Sequence, residues 1–405
     1  MKLHDFYSMP DKRLVSTTVL FSSPPNEDGK GAQLTCSRFS TDVFIIGGGP
    51  AGLAAAIASR QKGLDVIIAD GSAPPIEKPC GEGMMPETLQ ALRTLGVKLN
   101  PTDGQKFSGI CFAQQGARVS ADFLQGPGLG LPRPILHQRM VARAEECGVQ
   151  FLWHTPIGGI DSEGALFARG KVQARWIVGA DGLSSRVRRW SALEATKRSS
   201  RRFAIRRHFR TRPWSNHMEI HWGRHAQAYV TPMGGNEICI VLLADHVEHT
   251  SFDRTLREFP ELHEKLAGQE VSGRERGAVT AIRSLHHVQR GNVALVGDAS
   301  GSLDAVTGDG MRLAFQQASA LAAAMAAGDL RSYERAHRAL ARRPMRIGDL
   351  LLWLGRNPLV RSRAIRALQS RPDLFARLLA AHVGAADSSE LLSAGALLGW
   401  HLLRI

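Results

Sequence analysis

The chain lacks any apolar run of the roughly 20 residues that a helix needs to cross a bilayer. That argues against an integral helical membrane protein and leaves peripheral membrane contact as the most the sequence supports. Leu14 to Phe21 is too short and too rich in Ser and Thr for a signal peptide. Cysteine is sparse: Cys36, Cys80, Cys111, Cys147 and Cys239 make an odd total of 5, with no C-x-x-C pair. A disulfide framework and a structural zinc are not expected, and a cytoplasmic location is. No catalytic triad, paired-carboxylate motif or metal-ligand cluster is evident. His217, His221 and His225 recur every four residues, but Met218 to Trp222 alternates like a strand, where that spacing rises about 13 Å, too far for one ion. No metal is expected. Acidic residues are in deficit, 37 against 51 Lys and Arg, giving a net charge of +14. This favours acidic partners or a solubilising surface, and without an accompanying motif it gives no ground for nucleic-acid binding.

What is present starts at Val43. Val43 to Ile46 is apolar and runs into Gly47-Gly48-Gly49-Pro50-Ala51-Gly52, the spacing G-x-G-x-x-G, and then into an Ala-rich stretch. Gly47 permits a tight turn off a strand, Gly49 lets bare backbone approach a pyrophosphate, and Gly52 lets the helix pack closely. Pro50 suits the first helical turn, whose free amides, with that of Ala51, face phosphate. The helix is expected over Ala51 to Gln61 with Gly63 as its stop. Leu64 to Ala69 is the next strand and ends in Asp70, whose carboxylate can accept a ribose diol. Together these make a nucleotide-binding turn.

Two later stretches repeat the pattern of buried strand followed by a Gly/Asp turn. Trp176 to Gly179 leads into Ala180-Asp181-Gly182-Leu183-Ser184-Ser185-Arg186-Val187-Arg188, and Val293 to Val296 leads into Gly297-Asp298-Ala299. Both strands suit a parallel sheet covered on its two faces. Phe107 to Phe123 alternates like antiparallel strand, Ile135 to Cys147 is helical, and 201–278 reads as antiparallel sheet roofing a substrate. Gly308-Asp309-Gly310 precedes a helix over Met311 to Ala327, whose positive end favours an anionic ring. From Leu330 the chain is helical and Arg-rich, with breaks expected at Pro344, Pro358 and Pro372.

The three glycine elements, in this order and spacing, resemble the flavoprotein monooxygenases of the p-hydroxybenzoate hydroxylase type, with their geranylgeranyl reductase and flavin-dependent halogenase branches. The resemblance covers roughly 41–345. It implies an α/β fold: a Rossmann-like FAD-binding domain with an inserted antiparallel β-sheet substrate domain and C-terminal helices. The expected division is a flexible extension over 1–40, FAD-binding parts over 41–110, 131–200 and 279–345, substrate-domain segments over 111–130 and 201–278, and a helical region over 346–405. FAD is implied as cofactor, held by Gly47, Gly49, Pro50, Ala51, Gly52, Asp70, Arg133, Asp181, Gly297, Asp298, Gly308, Gly310 and Met311, with Arg186 nearby.

Lys78-Pro79-Cys80-Gly81-Glu82-Gly83 looks like the K-P-C-G-x-G stretch of the geranylgeranyl reductase branch and also resembles a halogenase loop. Tyr229-Val230-Thr231-Pro232 occupies the place of an aromatic stretch ending in F-P, with Thr231 where the phenylalanine would be. Cys80 and Tyr229 are the catalytic candidates, and Lys106 is in a loosely halogenase-like place. The leading implied function is an NAD(P)H-dependent monooxygenase that uses a flavin C4a-hydroperoxide to hydroxylate or epoxidise an apolar or aromatic small molecule, lipid-like or carrier-protein-bound in some branches. The alternative is a reductase of isoprenoid-like double bonds, and the third reading is a halogenase.

Overall fold

Val43, Phe44 and Ile45 are wholly buried, each such side chain being worth about 1.5–3 kcal/mol, and they lie toward the C-terminal end of β1 (Ser37–Ile46). In this computed structural model the described residues are 37–168, 170–193, 195–245, 251–384, 393, 395 and 397. All belong to one compact unit that starts at Cys36. The expected extension therefore lies outside the described residues up to residue 36, and β1 begins at Ser37.

After β1 come α1 (Pro50–Gln61), β2 (Val66–Ala69), β3 (Gly83–Met84), α2 (Pro86–Thr94) and β4 (Gln105–Phe107). The hairpin β5 (Gly109–Gln114) and β6 (Ala117–Asp122) is followed by β7 (Gly128–Gly130), α3 (Arg133–Glu146) and β8 (Gln150–Leu152). Then β9 (Ile157–Ile160), β10 (Gly164–Phe167) and β11 (Gly170–Gly179) lead to α4 (Arg186–Trp190). The next block is β12 (Ala195–Arg210), β13 (His217–Trp222), β14 (Ala226–Met233), β15 (Glu237–Ala244), α5 (Phe252–Leu256), α6 (Pro260–Leu266) and β16 (Glu270–Leu285). Last come β17 (Gln289–Arg290), β18 (Val293–Leu295), α7 (Gly310–Ala327), α8 (Leu330–Arg356), α9 (Pro358–Ser370) and α10 (Pro372–His382).

Among the described residues, β17-β18-β11-β1-β2-β8 form one sheet, extended by β10 and β9 beyond β11. β18, β11, β1, β2 and β8 run parallel, which matches the apolar stretches Val43–Ile46, Val66–Ala69, Trp176–Val178 and Val293–Leu295 within them. Helices α1 and α7 pack together over this sheet through Leu53, Ile57, Phe315 and Leu321. A second sheet, β16-β12-β15-β14-β13-β5-β6, forms the roof, and β3-β7-β4 make a small antiparallel sheet.

Three details depart from expectation. The stretch 107–123 is not one strand: Gln115 and Gly116 take left-handed conformations and close the β5–β6 hairpin. The roof strands of 201–278 pair antiparallel as expected, but β5, donated from far earlier in the chain, adds to them in parallel with β13, since no hairpin fixes its direction. Pro344 does not break the chain. It lies buried inside α8, where packing against the body of the protein offsets the lost hydrogen bond. Pro358 and Pro372 do mark helix starts.

Candidate functional site

The turn after β1 has the geometry its glycines predict. Gly47 has φ of 115°, and a Cβ there would meet the Ala180 carbonyl oxygen at 2.4 Å. A Cβ on Gly52 would lie 1.9 Å from the Gly47 carbonyl oxygen, whereas Gly49 faces open space. One glycine is therefore needed for conformation, one for close packing and one for access. Asp70 braces the turn, its Oδ2 accepting the Gly48 N–H at 2.7 Å and its Oδ1 the Ser72 N–H at 2.8 Å. His137 Nε2 lies 2.8 Å from the Gly48 carbonyl oxygen.

This turn opens onto a cleft of about 650 Å³ between the parallel sheet and the roof. The cleft brings together Gly47, Gly49, Pro50, Ala51, Asp70, Cys80, Arg133, Asp181, Arg186, Tyr229, Gly297, Asp298, Gly308, Gly310 and Met311. Gly52 lies behind it, against the turn. Lys106 is exposed on β4, away from the cleft. The three histidines form no cluster: His217 pairs with Asp122 at 2.8 Å, His221 with buried Glu219 at 2.7 Å, and the His225 N–H donates to Glu258 at 2.9 Å.

At the second glycine turn, Asp181 Oδ2 accepts the N–H groups of Arg186 and Val187 at 2.6 and 3.1 Å. At the third, Asp298 pairs with Lys78 at 2.7 Å, a contact the sequence did not announce. Gly308 is left-handed with φ of 68°, and Gly310 at the start of α7 has nothing near its would-be Cβ. Bare backbone and a positive helix end thus meet the cleft at one place.

The loop 78–86 is held from three sides through Glu82, a residue sequence reasoning missed. Its left-handed backbone, φ 56°, turns the carboxylate inward, where it is 1% exposed. Oε1 accepts from Arg206 at 2.6 Å and from the Arg133 N–H at 3.0 Å, and Oε2 lies 2.6 Å from His208 Nε2. Burial raises the carboxyl, but the His208 hydrogen bond and the His208 and Arg206 charges outweigh it, holding Glu82 below the ordinary carboxylate range. Glu82, His208 and Cys239 converge closely enough to suggest metal ligands. The carboxylate is already committed to Arg206, His208 and a backbone amide, and the neighbouring guanidinium opposes a cation. Thr231 adds a further tie, its Oγ1 donating to the Gly81 carbonyl at 2.7 Å.

A second buried network braces the roof. Arg202 pairs with Asp304 at 2.9 Å and Asp245 at 2.6 Å, and contacts Gln227 at 3.2 Å. The Tyr229 hydroxyl donates to the same Gln227 oxygen at 3.2 Å. Burial raises Tyr229 well above the usual tyrosine value, so it acts as a neutral donor. Near the start of α7, burial pushes the Glu87 carboxyl up to about 7, with Asp309 adding to the rise and Arg312 and Arg343 opposing it.

The residues present fit a flavin dinucleotide. Asp181 Oδ1 and Arg133 Nε, both buried and both on residues lining the cleft, find no hydrogen-bond partner among the described residues. Gly49 and Gly310 leave the cleft unfilled where phosphate and ring would approach.

Comparison with known proteins agrees with this geometry. A family model described as an FAD binding domain matches residues 40–330. Menaquinone reductase of Mycobacterium tuberculosis (strain ATCC 25618 / H37Rv) is 26% identical over 299 residues, 67% of this chain and 73% of that protein. Digeranylgeranylglycerophospholipid reductase 1 of Methanopyrus kandleri is 26% identical over 298 residues, covering 67% of this chain and 77% of the relative. Among solved structures, a flavoprotein/dehydrogenase from Cytophaga hutchinsonii superposes with a TM-score of 0.78 at 16% identity, over 90% of this chain and 99% of its own.

Proposed function

Because this chain belongs to the FAD binding domain family and is an FAD-dependent oxidoreductase, we propose that it reduces carbon–carbon double bonds in an isoprenoid-like lipid, with a nicotinamide nucleotide as the source of electrons. The observation that carries this reading is the Lys78–Pro86 loop. It lies between cofactor cleft and roof, brings Cys80 to the cleft, and is fixed by the buried Glu82 ion pairs. The relatives named for reducing menaquinone and digeranylgeranylglycerophospholipid support the same substrate class.

In this reading Gly47, Gly49, Pro50 and Ala51 present backbone to the pyrophosphate, and Asp70 retains acceptor capacity for the ribose. Arg133, Asp181, Gly297 and Asp298 line the path between, and Gly308, Gly310 and Met311 lie at the ring end. Asp298 would exchange Lys78 for the cofactor's hydroxyls. The chemistry that bound, reduced FAD would supply here is a hydride equivalent to one alkene carbon, its electrons coming from the nicotinamide nucleotide. Cys80, half-buried in the cleft, is assigned delivery of the proton to the other carbon. Its sulfur lies 3.4 Å from the Glu82 amide nitrogen, which couples it to the braced loop. Tyr229 is assigned to position the chain. Met218, Val241, Leu243 and Val279 give the roof side of the cleft an apolar face, which suits a hydrocarbon and excludes water.

One residue favours a second reading, an NAD(P)H-dependent monooxygenase of an apolar or aromatic small molecule. Thr231 stands where the reductase branch carries phenylalanine, and it is spent on holding Gly81 rather than facing substrate. The test is to reduce the FAD-loaded protein anaerobically with NADPH or NADH and add a menaquinone or a geranylgeranyl lipid. Mass spectrometry should show two added hydrogens per turnover, and Cys80→Ser should keep its flavin while losing at least tenfold in rate. A product carrying oxygen from molecular oxygen, formed only in air, would replace the reductase with the monooxygenase.

A further inference from the structure

Helix α8 has two faces. Tyr333, His337, Pro344 and Gly348 are buried against the protein. The opposite stripe carries Arg342, Met345, Arg346, Asp349, Leu350 and Trp353 at spacings of three and four, all exposed. Met345 is 40% exposed, Leu350 54% and Trp353 50%, and Leu359 at the start of α9 is 82% exposed. Arg356 and Arg363 flank them and are exposed; Arg335 and Arg338, also exposed, are paired with Asp329 and Glu334. On this stripe Asp349 is the single acid among the described residues. Large apolar side chains ringed by arginines are not what a merely solvated helix face displays.

The same helix walls a second cavity of about 470 Å³, bounded otherwise by β16, the Gly297–Ser300 turn and α7. Its α8 wall includes Arg342, Met345, Asp349 and Leu352, so the cavity lies directly beside the exposed stripe. Gly297, Asp298, Ser302, Leu303, Asp304 and Gly310 line both this cavity and the cofactor cleft. The two spaces thus meet along the third glycine turn.

We infer that the exposed face of α8 docks the protein on an anionic bilayer, and that the cavity beside it admits a lipid's apolar chain toward the cofactor cleft. Arginine guanidiniums would meet anionic headgroups, while Trp353, Leu350 and Met345 enter the interface between headgroup and acyl chain. No helix among the described residues is long and apolar enough to cross a membrane, so an in-plane contact is the mode that this helix allows. The passage rests on the lipid-substrate reading above; the docking does not.

Docking is therefore tested without turnover. The FAD-loaded full-length protein is sedimented with vesicles of phosphatidylcholine alone or mixed with phosphatidylglycerol. At least tenfold stronger partitioning onto the anionic vesicles is expected, weakening as salt rises. The pair Leu350→Ser and Trp353→Ser should lose at least tenfold in binding while keeping flavin absorbance and melting temperature. Brominated acyl chains should quench tryptophan fluorescence in the parent and not in Trp353→Phe. Equal binding to both vesicles, or unimpaired binding by the serine variant, would overturn the inference. So would a dimer that the serine variant splits, since the face would then belong to a second copy. Failure here with intact lipid reduction in detergent would leave the proposed reaction standing.

Discussion

The floor and the roof of the cofactor cleft are built on opposite principles. The floor at Gly47–Gly52 works by omission: side chains are absent, backbone packs on backbone, and the one acid that braces it, Asp70, holds two amides. The roof works by commitment, with Arg206, His208 and Glu82 in one network and buried Arg202 and Asp304, joined by the exposed Asp245, in another. On the proposed reading the floor meets an unvarying phosphate and ribose, for which shape and amides suffice. A roof that must stay registered with a loop from another part of the chain needs contacts that fail in the wrong register, and buried charges penalise misplacement most heavily.

The sharpest way to break the floor is Gly52→Ala. Its methyl would collide with the Gly47 carbonyl oxygen, and we expect a cost of about 5 kcal/mol or more, seen as protein that retains no FAD after reconstitution. A variant that binds FAD as the parent does would show that the floor yields. On the roof, Glu82→Ala strands Arg206 and His208 and should cost about 3–5 kcal/mol in chemical denaturation at pH 7. Because the Glu82 carboxyl is depressed in the folded protein, its stabilisation is present above the ordinary carboxylate pKa and is lost as pH falls through the folded value. The gap between parent and variant should therefore narrow in acid; a gap that is constant down to pH 3 would contradict the ion-pair account.

Glu87 has the reverse sign. Its folded value of about 7 lies above its ordinary 4.5, so ionising it opposes folding, with a penalty that grows between those values and reaches at most ~3 kcal/mol above them. Glu87→Gln should raise the melting temperature at pH 8 and leave it nearly unchanged at pH 4, and an equal gain at both would refute the assignment. The smallest effect is expected from Thr231→Val, which removes one hydrogen bond to the Gly81 carbonyl at about 1 kcal/mol. Faster proteolysis within the 78–86 loop, with melting little changed, is the readout; an unaltered cleavage rate would mean that the Glu82 and Lys78 ion pairs hold the loop without Thr231.

The same contrast explains what could be read in advance. Gly47, Gly49 and Gly52, the helix after them and Asp70 lie within 24 residues, so local spacing announced the floor. Asp181 and Asp298 were legible because each follows a buried strand. Glu82 stood inside a recognised loop, yet its partners Arg206 and His208 lie 124 and 126 residues away, and no local pattern links them. The signal available was an acid beside glycine in a loop otherwise short of reasons for one. The parallel pairing of β5 with β13 was illegible for the same reason, since the alternation of side chains reports a strand's faces and not its direction. Pro344 misled because an intrinsic cost was read without the packing that offsets it.

The central strand of the parallel sheet, β1, is made first, while its neighbour-but-one β18 and the Asp298 turn are made about 250 residues later. At roughly 5–20 residues per second, a ribosome leaves the first glycine turn waiting about 10–50 s for the walls that complete the cleft. During synthesis the nascent chain therefore holds an unfinished nucleotide site, its sheet already faced by α1 and α3 on one side and by Ile157, Val187 and Leu193 on the other, until β18, the Asp298 turn and α7 complete the cleft.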